Sequence, residues 1–187
     1  MDRKYQFEIE NKARTLLLSD NISKHSVSKV INDIIEISES DELLKEQYGD
    51  KYIVNPIKLY INSFGGSTYD GLALVDIIRN STTPVETYCF GSAMSMGFWI
   101  WLYGTKRYVG ENSTLMYHEV ACFIWDKLEG IKIEVKELER LQTLFDNRIK
   151  EISLITQDKL NEYRTTKSEW YIIPKEAIQY QLATGII

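Results

Sequence analysis

A serine set among small residues and a histidine further along the chain have the types and spacing that suit acyl-transfer chemistry. Ser95 lies in FGSAMSMGF, residues 90–98, and His118 ends the apolar stretch LMYH. A serine hydroxyl becomes a nucleophile when a nearby base takes its proton, and histidine is the usual base because its pKa lies near neutrality. The pair predicts Ser95 as nucleophile and His118 as general base. The alternatives are a packing or capping serine and a buried core histidine.

The groups around Ser95 suggest how an oxyanion would be held. Ser95 is expected where a strand passes into a helix, and there the unpaired amides of the first helical turn favour negative charge. We predict the Met96 N–H as one donor and the Gly66 N–H, in the turn INSFGG, as the other. The alternative for the glycine pair is a simple tight turn. Ser92 is expected within the turn, where it could cap the helix.

The remaining histidine and the two cysteines suggest no further site. His25 lies in the polar stretch DNISKHS, and we expect it on the surface or at a helix cap. Cys89 and Cys122 lie in apolar surroundings and are predicted to be reduced core thiols. No cluster of histidine and cysteine suggests a metal site, and no cofactor is expected.

Strands alternating with helices must position these groups, which predicts βαβ units around a largely parallel sheet. We expect one domain over residues 1–187, with a short N-terminal segment, residues 1–14, and a charged surface loop inserted at residues 38–52. The predicted strands are residues 15–18, 57–62 and 85–90, with two short ones in KRYVG and TLMYHEV. The predicted helices are residues 26–37, 70–80, the stretch after residue 95, and 131–155.

Composition excludes several classes of partner. The net charge is −5 with both signs interspersed, so the chain has no basic footprint for nucleic acid. Its longest apolar run is too short to span a bilayer, and the charged N-terminus has no signal-peptide pattern. These features lead us to expect a cytoplasmic protein. The apolar stripe of residues 131–155 is too extended for one small domain to cover, and it predicts self-assembly.

Three motifs in order, INSFGGSTYDGLALVDII, GSAMSMGF and LMYHEV, followed by the ending KEAIQYQLATGII, resemble the Clp-type serine protease family. The resemblance implies the crotonase-like fold, with repeated β-β-α units around a largely parallel sheet and a protruding handle helix at about residues 131–155. Ser95 and His118 match the family's nucleophile and base. Gly66 and Met96 match its oxyanion-hole residues.

The resemblance also implies a third catalytic residue and marks departures from the family. Counting back from the closing Glu-Ala pair puts Glu169 at the position of the family's aspartate, and a one-residue gap would put Ser168 there. Phe64 replaces the proline of the glycine turn. Met94 replaces a small residue beside the nucleophile, which we expect to narrow the site. The family's glycine-rich strand is replaced by the bulkier ACFIWDKLEG.

What the resemblance implies is a divergent, self-compartmentalising serine endopeptidase that cleaves unfolded polypeptides or short peptides. It implies homo-oligomeric rings of seven, stacked to a tetradecamer. Because the chain has no G-x-x-x-x-G-K-[ST] loop, ATP hydrolysis would come from a separate AAA+ unfoldase. Two alternatives are a non-catalytic subunit of the same fold and a crotonase-like acyl-CoA enzyme.

Overall fold

The computed structural model describes residues 14–187, and one mixed sheet runs through that part of the chain. Its strands alternate buried and exposed side chains where one face meets the core, as in β2. The strands are β1 Thr15–Leu18, β2 Ile57–Ser63, β3 Val85–Met94, β4 Arg107–Val109, β5 Thr114–Tyr117, β6 Trp170–Ile172 and β7 Gly185–Ile186.

Helices pack against this sheet through apolar stripes at helical spacing. In the first helix the buried positions include Val27, Val30 and Ile34, which share one face. The helices are α1 Lys24–Tyr48, α2 Thr68–Asn80, α3 Met96–Trp101, α4 Leu128–Ile152, α5 Gln157–Thr165 and α6 Pro174–Gln179, with a short 3₁₀ turn at Gly49–Lys51.

The sheet is parallel along the path β1-β2-β3-β4-β7. β3 is long enough to pair twice: its first half runs beside β4 and its last residues run beside β5, both in parallel. β6 then adds to β5 in antiparallel orientation. The prediction of an α/β fold around a largely parallel sheet with a long helix is confirmed. This arrangement places the carboxyl ends of β3 and β5 side by side, where functional groups collect in such sheets.

Residues 38–52, predicted as a solvated loop, are helical over most of their length. α1 continues to Tyr48 and a 3₁₀ turn follows, so the loop prediction was wrong. The stretch is mostly exposed, but Asp41 is buried and accepts hydrogen bonds from Arg14, Tyr52 and Thr83. The predicted N-terminal segment, residues 1–14, lies outside the described residues apart from Arg14.

Two further expectations differ from the structure. β3 does not end at Phe90 but continues to Met94, because pairing with β5 extends it. Cys89 is buried as predicted, and burial raises its pKa to about 12. Cys122 is exposed, in the irregular stretch before α4, so it is not a core thiol. The sequence around it is apolar, but no element of the described chain covers it.

α4 begins and ends a few residues earlier than predicted. Its second half contributes Leu141 and Ile149 to the core, whereas its first half leaves apolar side chains in solvent. None of the helices in residues 14–187 is long and apolar enough to cross a membrane.

Candidate active site

Ser95 occupies a sharp turn between the end of β3 and the start of α3. Its backbone angles are φ 51° and ψ −122°, a region that non-glycine residues rarely enter. The turn is held by hydrogen bonds from the Ser95 N–H to the Met116 carbonyl at 3.0 Å and from the Trp99 N–H to the Ser95 carbonyl at 3.0 Å. A strained strand-to-helix turn of this kind lifts a serine hydroxyl out of the sheet.

Two glycines make room for this turn. A Cβ atom on Gly65 would lie 2.6 Å from the Cβ of Ser95, which no real side chain tolerates. A Cβ atom on Gly97 would lie 3.1 Å from the Ser63 carbonyl oxygen, so α3 packs closely on the end of β2.

Ser92 is not in the turn and does not cap α3. It is buried within β3, where its N–H and its hydroxyl both lie within hydrogen-bonding distance of the Asn62 side-chain oxygen, at 3.2 and 3.3 Å. Gly91, with φ 79°, leaves the space that this Asn62 amide occupies. The serine that the turn presents is therefore Ser95.

His118 follows β5 and faces the nucleophile. Its Nε2 lies 2.8 Å from the Ser95 Oγ, and its Nδ1 lies 2.5 Å from the carbonyl oxygen of Glu119. A carbonyl oxygen only accepts, so Nδ1 must carry the proton. The Nε2 lone pair then faces the serine hydroxyl, which is the tautomer that a general base needs. The structure brings Ser95 and His118 together.

Glu169 does not contact His118 in this arrangement. Its carboxylate accepts a short hydrogen bond from the hydroxyl of Tyr171, and this bond raises the pKa of that tyrosine. No hydrogen bond or ion pair joins Glu169 to the imidazole within residues 14–187. The predicted role of Glu169 as the residue that orients the ring is therefore not supported by the contacts.

The register explains why Glu169 nevertheless lies near the site. β5 and β6 pair in antiparallel orientation, and the last pair joins Tyr117 to Trp170. One more step in that register would set His118 opposite Glu169. Ser168, the alternative position, directs its hydroxyl to the Thr166 carbonyl. Counting along the sequence therefore located the residues just before β6. The side chains of Glu169 and Ser168, however, bond to Tyr171 and Thr166 and not to His118.

The two predicted oxyanion donors border the same pocket as the serine. Gly66 has φ 145° and forms an isolated β-bridge with Ile22. The Ile22 N–H donates to the Gly65 carbonyl and the Ser67 N–H donates to the Ile22 carbonyl, so these two bonds do not use the Gly66 N–H. Met96 is the first residue of α3 and has no acceptor for its N–H within the helix. Both residues border the pocket, and their role as oxyanion donors stays a prediction.

The pocket beside Ser95 is lined mostly by residues of apolar type, and sequence reasoning missed most of them. α3 supplies Phe98 and Trp99, and Trp99 packs on Phe145 of α4 with ring centroids 4.1 Å apart. The lining comprises Gly66, Thr68, Ser95, Met96, Phe98, Trp99, Met116, Tyr117, His118, Val120, Ala121, Phe145 and Ile149. The signal in the sequence was the aromatic run FWIW that follows Ser95. In α3 some of these side chains pack into the core, and Phe98 and Trp99 border the pocket.

Two residues that differ from the family's sequence pattern, Met94 and Phe64, lie near this pocket. Met94 is half-buried and is paired with Met116 in the sheet, and it is not among the pocket-lining residues. The expected narrowing of the site by Met94 is therefore not seen. Phe64, in place of the family's proline, is 73% exposed next to the glycine turn.

A buried polar network lies under the histidine, and the sequence analysis did not identify it. Asp146 of α4 accepts hydrogen bonds from Tyr117, Gln142, Gln157 and Arg164. Burial is the main cause that raises the pKa of Tyr117, and the negative charge of Asp146 raises it further. The signal in the sequence was the pair of polar residues four apart on the apolar stripe of α4. Such a pair needs partners when it is buried.

The family model described as Clp protease matches residues 4–187. The ATP-dependent Clp protease proteolytic subunit of Deinococcus radiodurans is 35% identical over 134 residues, which is 70% of this chain and 64% of that relative. This match therefore spans just under two thirds of the Deinococcus protein.

Two cyanobacterial relatives match over more of their length. ATP-dependent Clp protease proteolytic subunit 2 of Synechococcus sp. (strain CC9605) is 27% identical over 176 residues, covering 93% of this chain and 83% of the relative. The protein of the same name from Parasynechococcus marenigrum is 29% identical over 181 residues, again covering 93% and 83%.

Proposed function

The chain belongs to the Clp protease family, and we propose that it is a serine endopeptidase of that family with Ser95 as its nucleophile. The observation that carries the proposal is the 2.8 Å approach of His118 Nε2 to Ser95 Oγ on a strained strand-to-helix turn. The strained backbone of Ser95 supports the proposal, because such strain is concentrated at functional sites.

The first step transfers the Ser95 hydroxyl proton to His118 Nε2 while Oγ attacks the carbonyl carbon of a peptide bond. The carbonyl oxygen becomes an oxyanion, for which we propose the Gly66 and Met96 N–H groups as donors. Collapse of this intermediate breaks the C–N bond. The imidazolium gives its proton to the leaving amine, and an acyl-enzyme on Ser95 remains.

Water completes the cycle through the same groups. His118 takes a proton from water as its oxygen attacks the ester carbonyl of the acyl-enzyme. A second oxyanion forms in the same place, and its collapse returns the proton to the Ser95 Oγ as the acid product leaves. The side chains of this chain supply every proton transfer, so the proposed reaction uses no cofactor.

We also propose polypeptides as the substrate class. The pocket beside Ser95 is lined largely by apolar and aromatic side chains from α3, β5 and α4. Such a pocket favours an apolar side chain next to the scissile bond, and apolar side chains become accessible in unfolded chains. The substrates we expect are therefore unfolded polypeptides and short apolar peptides.

A separate ATP-driven unfoldase is part of this proposal. The relatives are named ATP-dependent proteases, whereas this chain has no phosphate-binding loop motif. A row of stacked rings on the sheet, from Tyr108, Tyr88, Tyr60 and Phe90, ends at the exposed Phe90, which offers apolar area to such a partner. Cytoplasmic location belongs to the same proposal, because both cysteines are free thiols.

Hydrolysis of a fluorogenic peptide with an apolar residue before the scissile bond tests this function. We expect turnover by the assembled protein and background rates for Ser95→Ala. An acyl-CoA ester offered in a parallel assay should not be hydrolysed. Turnover of the thioester with none of the peptide would favour the crotonase-like alternative instead.

A non-catalytic subunit is the second candidate, and the position of Glu169 favours it. A serine protease without a residue to orient its histidine is expected to be slow. A wild-type protein that assembles but hydrolyses peptides no faster than Ser95→Ala would support this candidate over the first.

A further inference from the structure

We propose that Gln142 is a positioning residue that sets the orientation of the His118 ring through the peptide group between Glu119 and Val120. The inference rests on the proposed function, because orientation matters only if His118 acts as a base. In this reading the Glu119 backbone carbonyl takes the place that a carboxylate holds in the usual triad, and Gln142 keeps that carbonyl in position.

One planar peptide group joins the two contacts. Its carbonyl, from Glu119, accepts from His118 Nδ1, and its N–H, from Val120, donates to Gln142 Oε1 at 2.8 Å. The atoms of a peptide group lie in one plane with C=O and N–H pointing in opposite directions. A bond that fixes the N–H therefore fixes the carbonyl that orients the imidazole.

The side-chain amide of Gln142 is itself held in one orientation. Its Nε2 donates to Asp146 Oδ1 at 2.7 Å and lies 3.1 Å from the Tyr117 hydroxyl. An ionised carboxylate only accepts, so the NH₂ group must face Asp146 and the oxygen must face Val120. Gln142 is 4% exposed and Asp146 is 2% exposed, so water does not compete strongly for these bonds.

The same network holds the chain on both sides of His118. The hydroxyl of Tyr117, the residue before it, donates to Asp146 at 2.9 Å. Arg164 lies 3.2 Å from Asp146 and 3.7 Å from the carboxylate of Glu119, the residue after it. A histidine at the end of a short strand is thus fixed through its neighbours and not through a carboxylate on its own ring.

A carbonyl and a carboxylate differ in what they supply. Both select the tautomer with the proton on Nδ1, which leaves Nε2 free to accept from Ser95. Only a carboxylate adds a full negative charge that stabilises the imidazolium. Because the Glu169 carboxylate is bonded to Tyr171, the carbonyl is the partner that the contacts assign to the ring.

Kinetics of Gln142→Met test the inference, since methionine keeps the length of the side chain and lacks the amide. We expect kcat to fall by about 10²-fold, the scale of a small misplacement of a reacting group, with KM unchanged. Lys132→Gln, which removes an exposed ion pair with Glu129 on the same helix as Gln142, is the control and should keep wild-type kinetics. An unchanged kcat for Gln142→Met in the folded, assembled protein would overturn the inference.

A double variant tests whether the hydrogen bonds of Gln142, and not its packing, orient the His118 ring. Gln142→Glu with Asp146→Asn reverses donor and acceptor between the two side chains while keeping an oxygen for the Val120 N–H. We expect this double variant to recover most of the kcat that Gln142→Met loses. A double variant that folds, assembles and remains as slow as Gln142→Met would count against the proposal.

Glu169→Gln decides between the two possible partners of the ring without disturbing the core. We expect its kcat to stay close to the wild-type value. A loss on the order of 10⁴-fold, as expected for removal of a triad carboxylate, would assign the role to Glu169 and overturn the inference. The kcat of Glu169→Gln also tests the inference if Gln142→Met does not fold. An inert wild type would instead refute the proposed function, and the inference with it.

Discussion

At the scale of single residues, the sequence predicted the meeting of Ser95 and His118 and did not predict what holds the ring. The meeting follows from motif order, because β3 and β5 each end just before one of these residues. Glu169 was located by counting from the C-terminal motif, and it lies one residue before the neighbouring strand β6. Its bond to Tyr171, two residues away, depends on rotamers that residue type and spacing do not specify.

Ser95→Gly should be more stable than Ser95→Ala by about 1 kcal/mol, because glycine adopts φ 51° without the steric cost that any Cβ brings. Both variants lose the nucleophile, so the comparison isolates backbone strain. Chemical denaturation of the two proteins under matched conditions of assembly measures the difference. Equal stability, or a more stable alanine variant, would contradict the assignment of strain to this turn.

At the scale of elements, the sequence predicted those with clear apolar periodicity and missed those held by tertiary contacts. β1 was predicted to the residue, and α2 within two residues of its start. The second half of α1 has few apolar residues to reveal it, yet Asp41 anchors it to the body of the domain through Arg14. The end of β3 looked like a turn because of Gly91, and pairing with β5 made it strand.

Asp41→Asn should destabilise the fold by about 3 to 5 kcal/mol, because it leaves the Arg14 guanidinium buried without its counter-charge. Urea denaturation followed by circular dichroism measures the change. Asp33→Asn, on the same helix, is the control, because Asp33 forms no ion pair within residues 14–187. A loss below about 1 kcal/mol, the range of exposed pairs, would show that this bridge does not anchor α1.

The same carboxylate predicts a dependence of stability on pH. Burial acts to raise the pKa of Asp41, but hydrogen bonds from Arg14, Thr83 and Tyr52 outweigh it and leave the pKa below its ordinary value. A lowered folded-state pKa contributes stability that is present above the unfolded pKa, about 3.9, and is lost as pH falls through the folded value. Acid titration of the unfolding free energy should show a smaller loss below about pH 4 in Asp41→Asn than in the wild type.

At the scale of the whole molecule, the fold class followed from alternation of strands and helices, whereas the predicted self-assembly would use surfaces that only the structure displays. The loop before α4 exposes Phe123 and Trp125 at 91% and 92%, and the first half of α4 exposes Leu128 and Ile133. Large exposed apolar groups close together indicate an interaction surface. The sequence predicted the stripe on α4 but not the exposure of the preceding aromatics.

Phe123→Ser with Trp125→Ser should shift the protein to smaller species, because the pair offers apolar area that association would bury. Sedimentation velocity over a range of protein concentrations measures the distribution. Tyr48→Ser, an exposed aromatic at the end of α1, is the control and should leave the distribution unchanged. An unaltered sedimentation profile in the double variant would remove this loop from the assembly surface.

The most direct test of the central claim is labelling of the assembled protein with a fluorophosphonate, followed by mass spectrometry of the peptides. We expect one phosphonylated residue, Ser95, formed as its Oγ bonds to phosphorus and fluoride leaves. Labelling should fall sharply in His118→Ala, because the base is removed, and be absent in Ser95→Ala. An unlabelled wild type, or a label on another residue such as Ser92, would contradict the claim that Ser95 is an activated nucleophile.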